Sequence, residues 1–478
     1  MSSTKTESQG GLTRSLSHGQ MTMIALGLAV GTGLFLGSGG AIQIAGPAVI
    51  VSYAIGSLIA AIIGACAGEM AVRYPVRGGF GTIAGRFLGP YAGYVTRWAY
   101  WATTVPLVGA ELVAVGQYMS FWYPQVPLWV WVVISGALIV GLNLTSVRSF
   151  GALEFLLSSI KVTAVMVFIV IGLLFVFFGL PGQPATGLSN LTNDGGFMPN
   201  GPSSIWLALA IVMFSFGGIE LISVSAAEAK EPVRAVRSAA RAMMYRLATF
   251  YVGAMFVIMC MLPWKQAATL KGEIATSPFV MVFSALNVPA IAAITNFVVL
   301  TAALSGANAA LYAATRQMHA LAHDGMAPRV FSRTGGNGIP VLALVISMVG
   351  SVAAVILAIT GVGHIFQYMM ALVTFNVLVV WALIMISYMA YKKREGDASP
   401  FRVLGGRLTA GLGLAGVVAT FAAMVALGEM TVPLLVGILF FAVISVIYVV
   451  AVRKTQIIDD AAFDEARTQT AELPAVNK

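Results

Sequence analysis

The sequence predicts an all-α polytopic membrane protein with twelve transmembrane helices, and three observations carry that prediction. Of 478 residues, 59% are hydrophobic and only 9% charged, against roughly a quarter charged in soluble domains. With 27 Lys and Arg, 18 Asp and Glu and a mean hydropathy of +0.90, the chain cannot clothe itself in charge, so its outer surface faces hydrocarbon. Apolar runs such as residues 160–180 are unbroken and lack the alternation of barrel strands, which leaves helices as the spanning element. The basic residues, finally, segregate between alternate loops.

Stretches near twenty residues, bounded by Gly, Pro and charge, place the spans at about 21–43, 47–72, 92–122, 127–146, 154–180, 204–229, 244–264, 289–321, 340–360, 365–391, 408–427 and 432–452. Residues 1–20 form a polar tail without the short apolar core and cleavage site of a removable signal peptide. The first span contains GLAVGTGLFLGSGG, whose glycines lower helix propensity across two turns. The second ends near Glu69, one turn before Arg73, a spacing suited to a local ion pair or an inner-gate contact. The long third span carries Glu111, either a buried structural carboxyl or part of the substrate path. Trp122, Tyr123, Trp129 and Trp131 flank the turn into the fourth span as an interfacial belt.

The fifth span carries Lys161, two turns in and about 11 Å from the predicted helix start by helical rise. A lysine there either snorkels or stays buried, where it can serve as a proton carrier or fill the place of a sodium ion. The sixth span contains Phe214-Ser215-Phe216-Gly217-Gly218-Ile219-Glu220, paired glycines beside a carboxylate at membrane depth. Glu220 there either couples to a proton or braces the break. Cys66 and Cys260 lie in separate apolar segments, so no disulfide or CxxC metal site is expected. His319 and His323 stand four apart near the end of the eighth span without a third ligand, which argues against zinc. GTGLFLG lacks the flanking strand and Lys-Ser/Thr of a phosphate loop, and Ser38 has no plausible histidine base, so neither suggests an enzyme.

With the N-terminus in the cytoplasm, 24 of the 27 basic residues lie inside, only Lys265 and Lys271 outside, and Lys161 within the membrane. The sequence pI near 9.6 therefore reports topology and calls for no nucleic-acid partner. Both termini are then cytoplasmic, and residues 453–478 form a tail whose part from Asp459 reads as disordered. The two glycine-rich spans, first and sixth, are five apart and so cross in opposite senses. That is the offset of an inverted repeat, spans 1–5 (21–180) against spans 6–10 (204–391), with spans 11 and 12 (408–452) appended. Unwinding at such points frees N–H and C=O groups at the midplane for a carboxylate and an ammonium, a pair of ends suited to a zwitterion. Glycines also serve close helix packing, but two breaks at matching positions favour a site.

MTMIALGLAVGTGLFLGSG, GEMAVRYPVRGGF, SFGALEFLLSSIKV, FSFGGIELISVSAAEAKEP and NFVVLTAALSGANAALYAATRQMHALAHDGMAP occur in this order. Together they resemble bacterial amino-acid permeases of the amino acid–polyamine–organocation superfamily over residues 16 to 450. The resemblance implies a leucine-transporter-type fold of five plus five inverted helices and proton-coupled amino-acid import, with the proton as coupling ion and no cofactor. It implies that Thr32 and Gly33 offer N–H groups to the substrate carboxylate, and that carbonyls of Ala29, Phe214 and Gly217 face its amino group, with the Phe214 ring as a gate. It implies that Lys161 stands where sodium sits in relatives, near Ser305 and Asn308, and that Glu220 takes part in coupling. Two positions depart from the usual pattern. Arg97 replaces a glycine and Ala99 an asparagine in RWAYW, and Gly79-Phe80-Gly81 replaces Ser-Phe-Ser, so an inner-gate contact from this stretch is not carried over.

Segments expected around the substrate side chain, Pro106 to Ala110, Phe216 to Ile219 and Met369 to Phe375, are mainly apolar and favour a neutral side chain. The chain looks most like permeases for aromatic amino acids or proline, located in the bacterial cytoplasmic membrane with the lipid bilayer as surroundings and no obligatory protein partner. A permease for cationic amino acids or 4-aminobutyrate, and a non-transporting amino-acid sensor or scaffold, are the competing readings. A major-facilitator carrier is disfavoured, because the loop RYPVRGGFGTIAGR contains no acid.

Overall fold

The computed structural model describes residues 31–76, 78–144, 147–179, 184–220, 243, 245, 247–267, 277–285, 289–335, 338–397, 399–453 and 463, and all regular elements among them are helical. Among the described residues, eight helical stretches are long and apolar enough to cross a bilayer, and three shorter apolar helices accompany them. The first of these stretches, Gly33–Arg73, has 41 residues, about twice what a bilayer needs. It is divided at Gly46, where φ is +59°, so α1 (Ser38–Ala45) and α2 (Val49–Arg73) are separate arms. Tyr74 ends α2 with φ −129° and ψ 78°, as the residue before Pro75 must leave the helical region.

An unexpected helix follows. Gly79–Leu88, α3, occupies a stretch expected to be loop, and Phe80, Ile83, Ala84 and Phe87 form its buried stripe at helical spacing. Pro90 then opens α4 (Pro90–Met119) at the first helical position, where its missing N–H costs nothing. The order continues with α5 (Leu128–Asn143), α6 (Val147–Phe178), α7 (Ser203–Val212), α8 (Gly253–Met261), α9 (Pro278–Ala285) and α10 (Pro289–His323). It ends with α11 (Val341–Ser347), α12 (Val349–Ile359), α13 (Ile365–Glu395), α14 (Gly406–Ala426) and α15 (Thr431–Ile447). The expected ninth span is thus two helices with a joint at Met348. The expected fifth span begins earlier than 154, because the helix runs straight through Arg148.

Helices α4, α10 and α13 form the centre, α4 packing against both others. In the most apolar window of Pro90–Met119, 89% of residues are buried, against 22% for Thr431–Val452. The second is a peripheral helix, and Leu138, Val352, Leu412 and Leu439 on the outer helices stand exposed where lipid would lie.

The end predicted to be cytoplasmic is tied by polar contacts. Glu69 pairs with Lys392 at 2.8 Å, accepts from Tyr388 Oη at 2.6 Å and from the Val403 N–H at 2.7 Å. Arg73, the partner its spacing suggested, instead faces Glu395 at 3.7 Å. Arg97 reaches Asp324 at 2.5 Å, so this departure from the usual pattern itself makes a contact between α4 and the end of α10. A Cβ on Gly81 would lie 3.1 Å from Arg97 Cδ, so the two departures touch: the glycine makes room for the arginine. Phe463, in the tail expected to be disordered, is buried against Tyr74 at 5.4 Å and lies under Arg86.

Candidate substrate and proton site

The first break is visible from Gly31. Gly33–Gly37 is a π-turn, in which the helical hydrogen-bond ladder slips by one residue. Ala29 lies outside the described residues. The second break is a 3₁₀ turn, Met213–Phe216, followed by Gly217 at φ −53°, ψ 140° and by Gly218 at φ +99°, a conformation that favours glycine. The two breaks meet. A Cβ on Gly33 would stand 2.7 Å from Ser215 Cα, so only glycine allows this crossing.

The freed groups are partly taken up inside the protein. The Ser215 carbonyl accepts from Tyr251 Oη at 2.7 Å, and the Phe214 carbonyl accepts the Gly217 N–H at 3.2 Å. Glu220 spans its own break: one carboxylate oxygen accepts the Gly218 N–H at 3.2 Å and the other the Trp381 indole at 3.0 Å. The Thr32 N–H is directed at Glu111 Oε1, at 3.4 Å. Phe214 meets Phe366 edge to face at 6.0 Å.

One cavity collects these features. Gly31, Gly33, Phe214, Gly217, Glu111 and Glu220 line it, whereas Lys161, Ser305 and Asn308 are not among its lining residues. Thr32 and Ile219 adjoin it in sequence and are fully buried. The lining also includes Thr103, Thr104, Ser215 and Ala313, which lie outside the segments expected to surround the side chain, whereas Leu107 and Val373 lie within them. The two threonines add less polarity than their type suggests. Thr103 Oγ1 donates to the Ala99 carbonyl at 2.9 Å and Thr104 Oγ1 to the Trp101 carbonyl at 3.0 Å, so their hydroxyl protons point back into α4.

Lys161 is completely buried. It lies fourteen residues into α6, about 21 Å from Val147 by helical rise, so the snorkelling reading falls. Ser305 and Asn308, expected near Lys161, hydrogen-bond another residue, Glu154. Ser305 Oγ donates to Glu154 Oε1, Asn308 Nδ2 reaches Oε2 at 3.4 Å and Ser158 Oγ reaches Oε1 at 3.2 Å. Sequence reading passed over Glu154 because it stood at the predicted helix boundary. The signal was available: Glu154, Ser158 and Lys161 fall at i, i+4 and i+7, one helix face. Among the described residues, Glu154 and Glu111 lie within electrostatic reach of Lys161. Among the described residues no cluster of metal-ligating side chains occurs. His319 faces the Phe331 carbonyl and His323 faces Asp324.

Known proteins resemble this chain in sequence. The amino acid permease family matches residues 20–458. The chain is 40% identical over 383 residues to the uncharacterized amino acid permease YtnA of Bacillus subtilis, covering 80% of this chain and 82% of that protein. It is 39% identical over 386 residues to the aromatic amino acid transport protein AroP of Escherichia coli K12, covering 81% and 83%. It is 34% identical over 443 residues to the probable threonine/serine transporter YbxG of Bacillus subtilis, covering 92% and 95%. These relatives are transport proteins, not enzymes. With its whole helical core inside the match and two chain breaks facing one buried cavity, this multi-pass membrane protein belongs to the amino acid permease family.

Proposed function

We propose that the chain is a proton-coupled importer of neutral amino acids, aromatic or proline-like, in the bacterial cytoplasmic membrane, with both termini cytoplasmic. The observation that carries this reading is the meeting of the two breaks at Gly33 and Ser215 beside a cavity that also holds Glu111 and Glu220. Half-helix ends there suit the substrate backbone, its carboxylate toward the N–H groups of Thr32 and Gly33 and its ammonium toward the open end of the second break. Leu107, Val373 and the back-bonded threonines leave the side-chain space largely apolar, which favours a neutral side chain. Alternating access then moves the repeat-derived bundle around a fixed midplane site, and the buried Lys161, Glu111 and Glu154 carry the coupling.

The relatives support two substrate classes, since AroP is named for aromatic amino acids and YbxG for threonine and serine. Competition decides between them. Labelled phenylalanine should accumulate in sodium-free proteoliposomes under an inward proton gradient, and unlabelled aromatic amino acids should compete best among the twenty plus 4-aminobutyrate. Preferential competition by threonine and serine would transfer the assignment to the second class, competition by lysine and arginine would refute a neutral substrate, and binding without counterflow would make the protein a sensor.

A further inference from the structure

We propose that Arg97 and Gln317 form a second amino-acid site, which holds the head group of the transported molecule between the central cavity and the end predicted to be cytoplasmic. The proposal rests on the transport reading above and adds a station to its inner path.

The face of α4 that lines the cavity continues beyond it. Tyr100, Thr104, Leu107 and Glu111 line the cavity and fall at i, i+4, i+7 and i+11, one face of the helix. Arg97 extends that face by one turn, about 4.5 Å past Tyr100 by helical rise. On α10, Gly306 and Ala313 line the same cavity, and Gln317 follows Ala313 by one turn. The two extensions meet, for Gln317 Nε2 donates to the Arg97 carbonyl at 3.1 Å.

Both side chains keep polar atoms in reserve. Arg97 is 2% exposed. Its Nη1 donates to Asp324 Oδ2 at 2.5 Å, whereas Nε and Nη2 are buried without a hydrogen-bond partner among the described residues. Gln317 Oε1 is likewise buried without one. Buried polar atoms left unpaired are costly, so these three mark an incomplete site. Two N–H donors and one acceptor on touching residues complement a zwitterion. The Nε–Nη2 edge of a guanidinium presents two parallel N–H bonds to the two oxygens of a carboxylate, and an amide oxygen accepts from an ammonium. The positive end of α3 faces the same place, since a Cβ on Gly78, its N-cap, would lie 3.8 Å from Arg97 Cζ. A helix N-terminus and a guanidinium repel each other unless an anion joins them. Asp324 engages Nη1 and has its other oxygen on His323, which leaves the Nε–Nη2 edge to a ligand. After leaving the N–H groups of Thr32 and Gly33, the amino acid passes Tyr100 and is held here by its head group before water takes it. The Arg97–Asp324 pair stays intact, and the zwitterion adds no net charge.

The test measures counterflow of labelled phenylalanine and labelled threonine in membrane vesicles holding the full-length protein. Right-side-out vesicles give the half-saturation at the outer face and inside-out vesicles that at the inner face. A wild type without counterflow of either amino acid overturns the transport reading and this proposal with it. Arg97→Lys keeps a cation for Asp324 but loses the forked edge. Its inner half-saturation should rise about tenfold, the size of one lost charge-assisted hydrogen bond, with the outer value unchanged. Asp324→Asn removes the ion pair and leaves the fork, so its inner value should stay at the wild-type level. An unchanged inner value in Arg97→Lys, or an equal rise at both faces, overturns the proposal and leaves transport standing. A matching inner rise in Asp324→Asn also overturns it and makes Arg97 a strut between α4 and α10. A wild-type inner value that shifts when gluconate replaces chloride, with no such shift in Arg97→Lys, assigns the edge to an inorganic anion and overturns it too. Where Arg97→Lys gives no counterflow, Gln317→Leu decides: its inner half-saturation should rise and its outer value hold, and an unchanged inner value overturns the proposal.

Discussion

Glu154 shows what a residue-by-residue reading of a membrane chain gets and misses. Glu111, Lys161 and Glu220 stand out because each is an ionisable side chain inside an apolar run, and all three are buried in the structure. Glu154 has the same chemistry but stood at an assumed boundary, and boundaries are the least legible feature of a sequence. Partners across the fold were also illegible: nothing in the spacing of Glu69 and Arg73 reveals that Lys392 lies 2.8 Å from the carboxylate. Asp324 offers a test at this scale. Burial alone would raise its carboxyl, but the Arg97 guanidinium, with His323, outweighs that and holds it below the usual range. A depressed carboxyl stabilises above its unfolded value of about 3.9 and loses that stabilisation as pH falls through the folded value. Asp324→Asn should therefore melt lower than wild type at neutral pH, by about 1–3 kcal/mol for a half-buried pair. The gap should close below about pH 4, measured by thermal unfolding in detergent.

At the scale of elements, α3 was legible and went unread, since Phe80, Ile83, Ala84 and Phe87 already had helical spacing. Helix α9 was illegible, being eight residues long. Phe279 at its start packs against Phe35 at 4.9 Å and Phe168 at 4.6 Å, contacts that belong to the tertiary structure alone. The breaks were announced by their glycines, but their meeting at Gly33 and Ser215 was not, because the crossing depends on how two distant spans pack. The contact between α3 and α4 yields a paired prediction. Gly81→Ser should destabilise by about 1–3 kcal/mol through overpacking against Arg97. Adding Arg97→Ala should remove most of that cost, so the double variant should be more stable than the sum of the two single changes by about 0.5–3 kcal/mol. Strict additivity in the melting data would mean that the two side chains do not compete for space.

For the molecule as a whole, the solvent it lives in was fully legible, since a chain with 9% charged residues has no other surface to offer. The sidedness inferred from its basic residues can be measured, because Cys66 and Cys260 are both buried and give little background to a thiol reagent. Asn193→Cys, exposed in the loop before α7, should label with an impermeant maleimide in intact cells, and Arg333→Cys, exposed after α10, only after permeabilisation; the reverse pattern would invert the topology. The Glu154 site also bears on how the protein is made. Ser305 lies 151 residues downstream of Glu154, and at about 5–20 residues per second the ribosome delivers it roughly 8–30 s after Glu154 has been synthesised. During that interval α6 has its acid and its lysine but not the α10 donors. Until α10 is made, Glu154 lacks the donors of Ser305 and Asn308 and has on its own helix face only Ser158 one turn on and Lys161 two turns on.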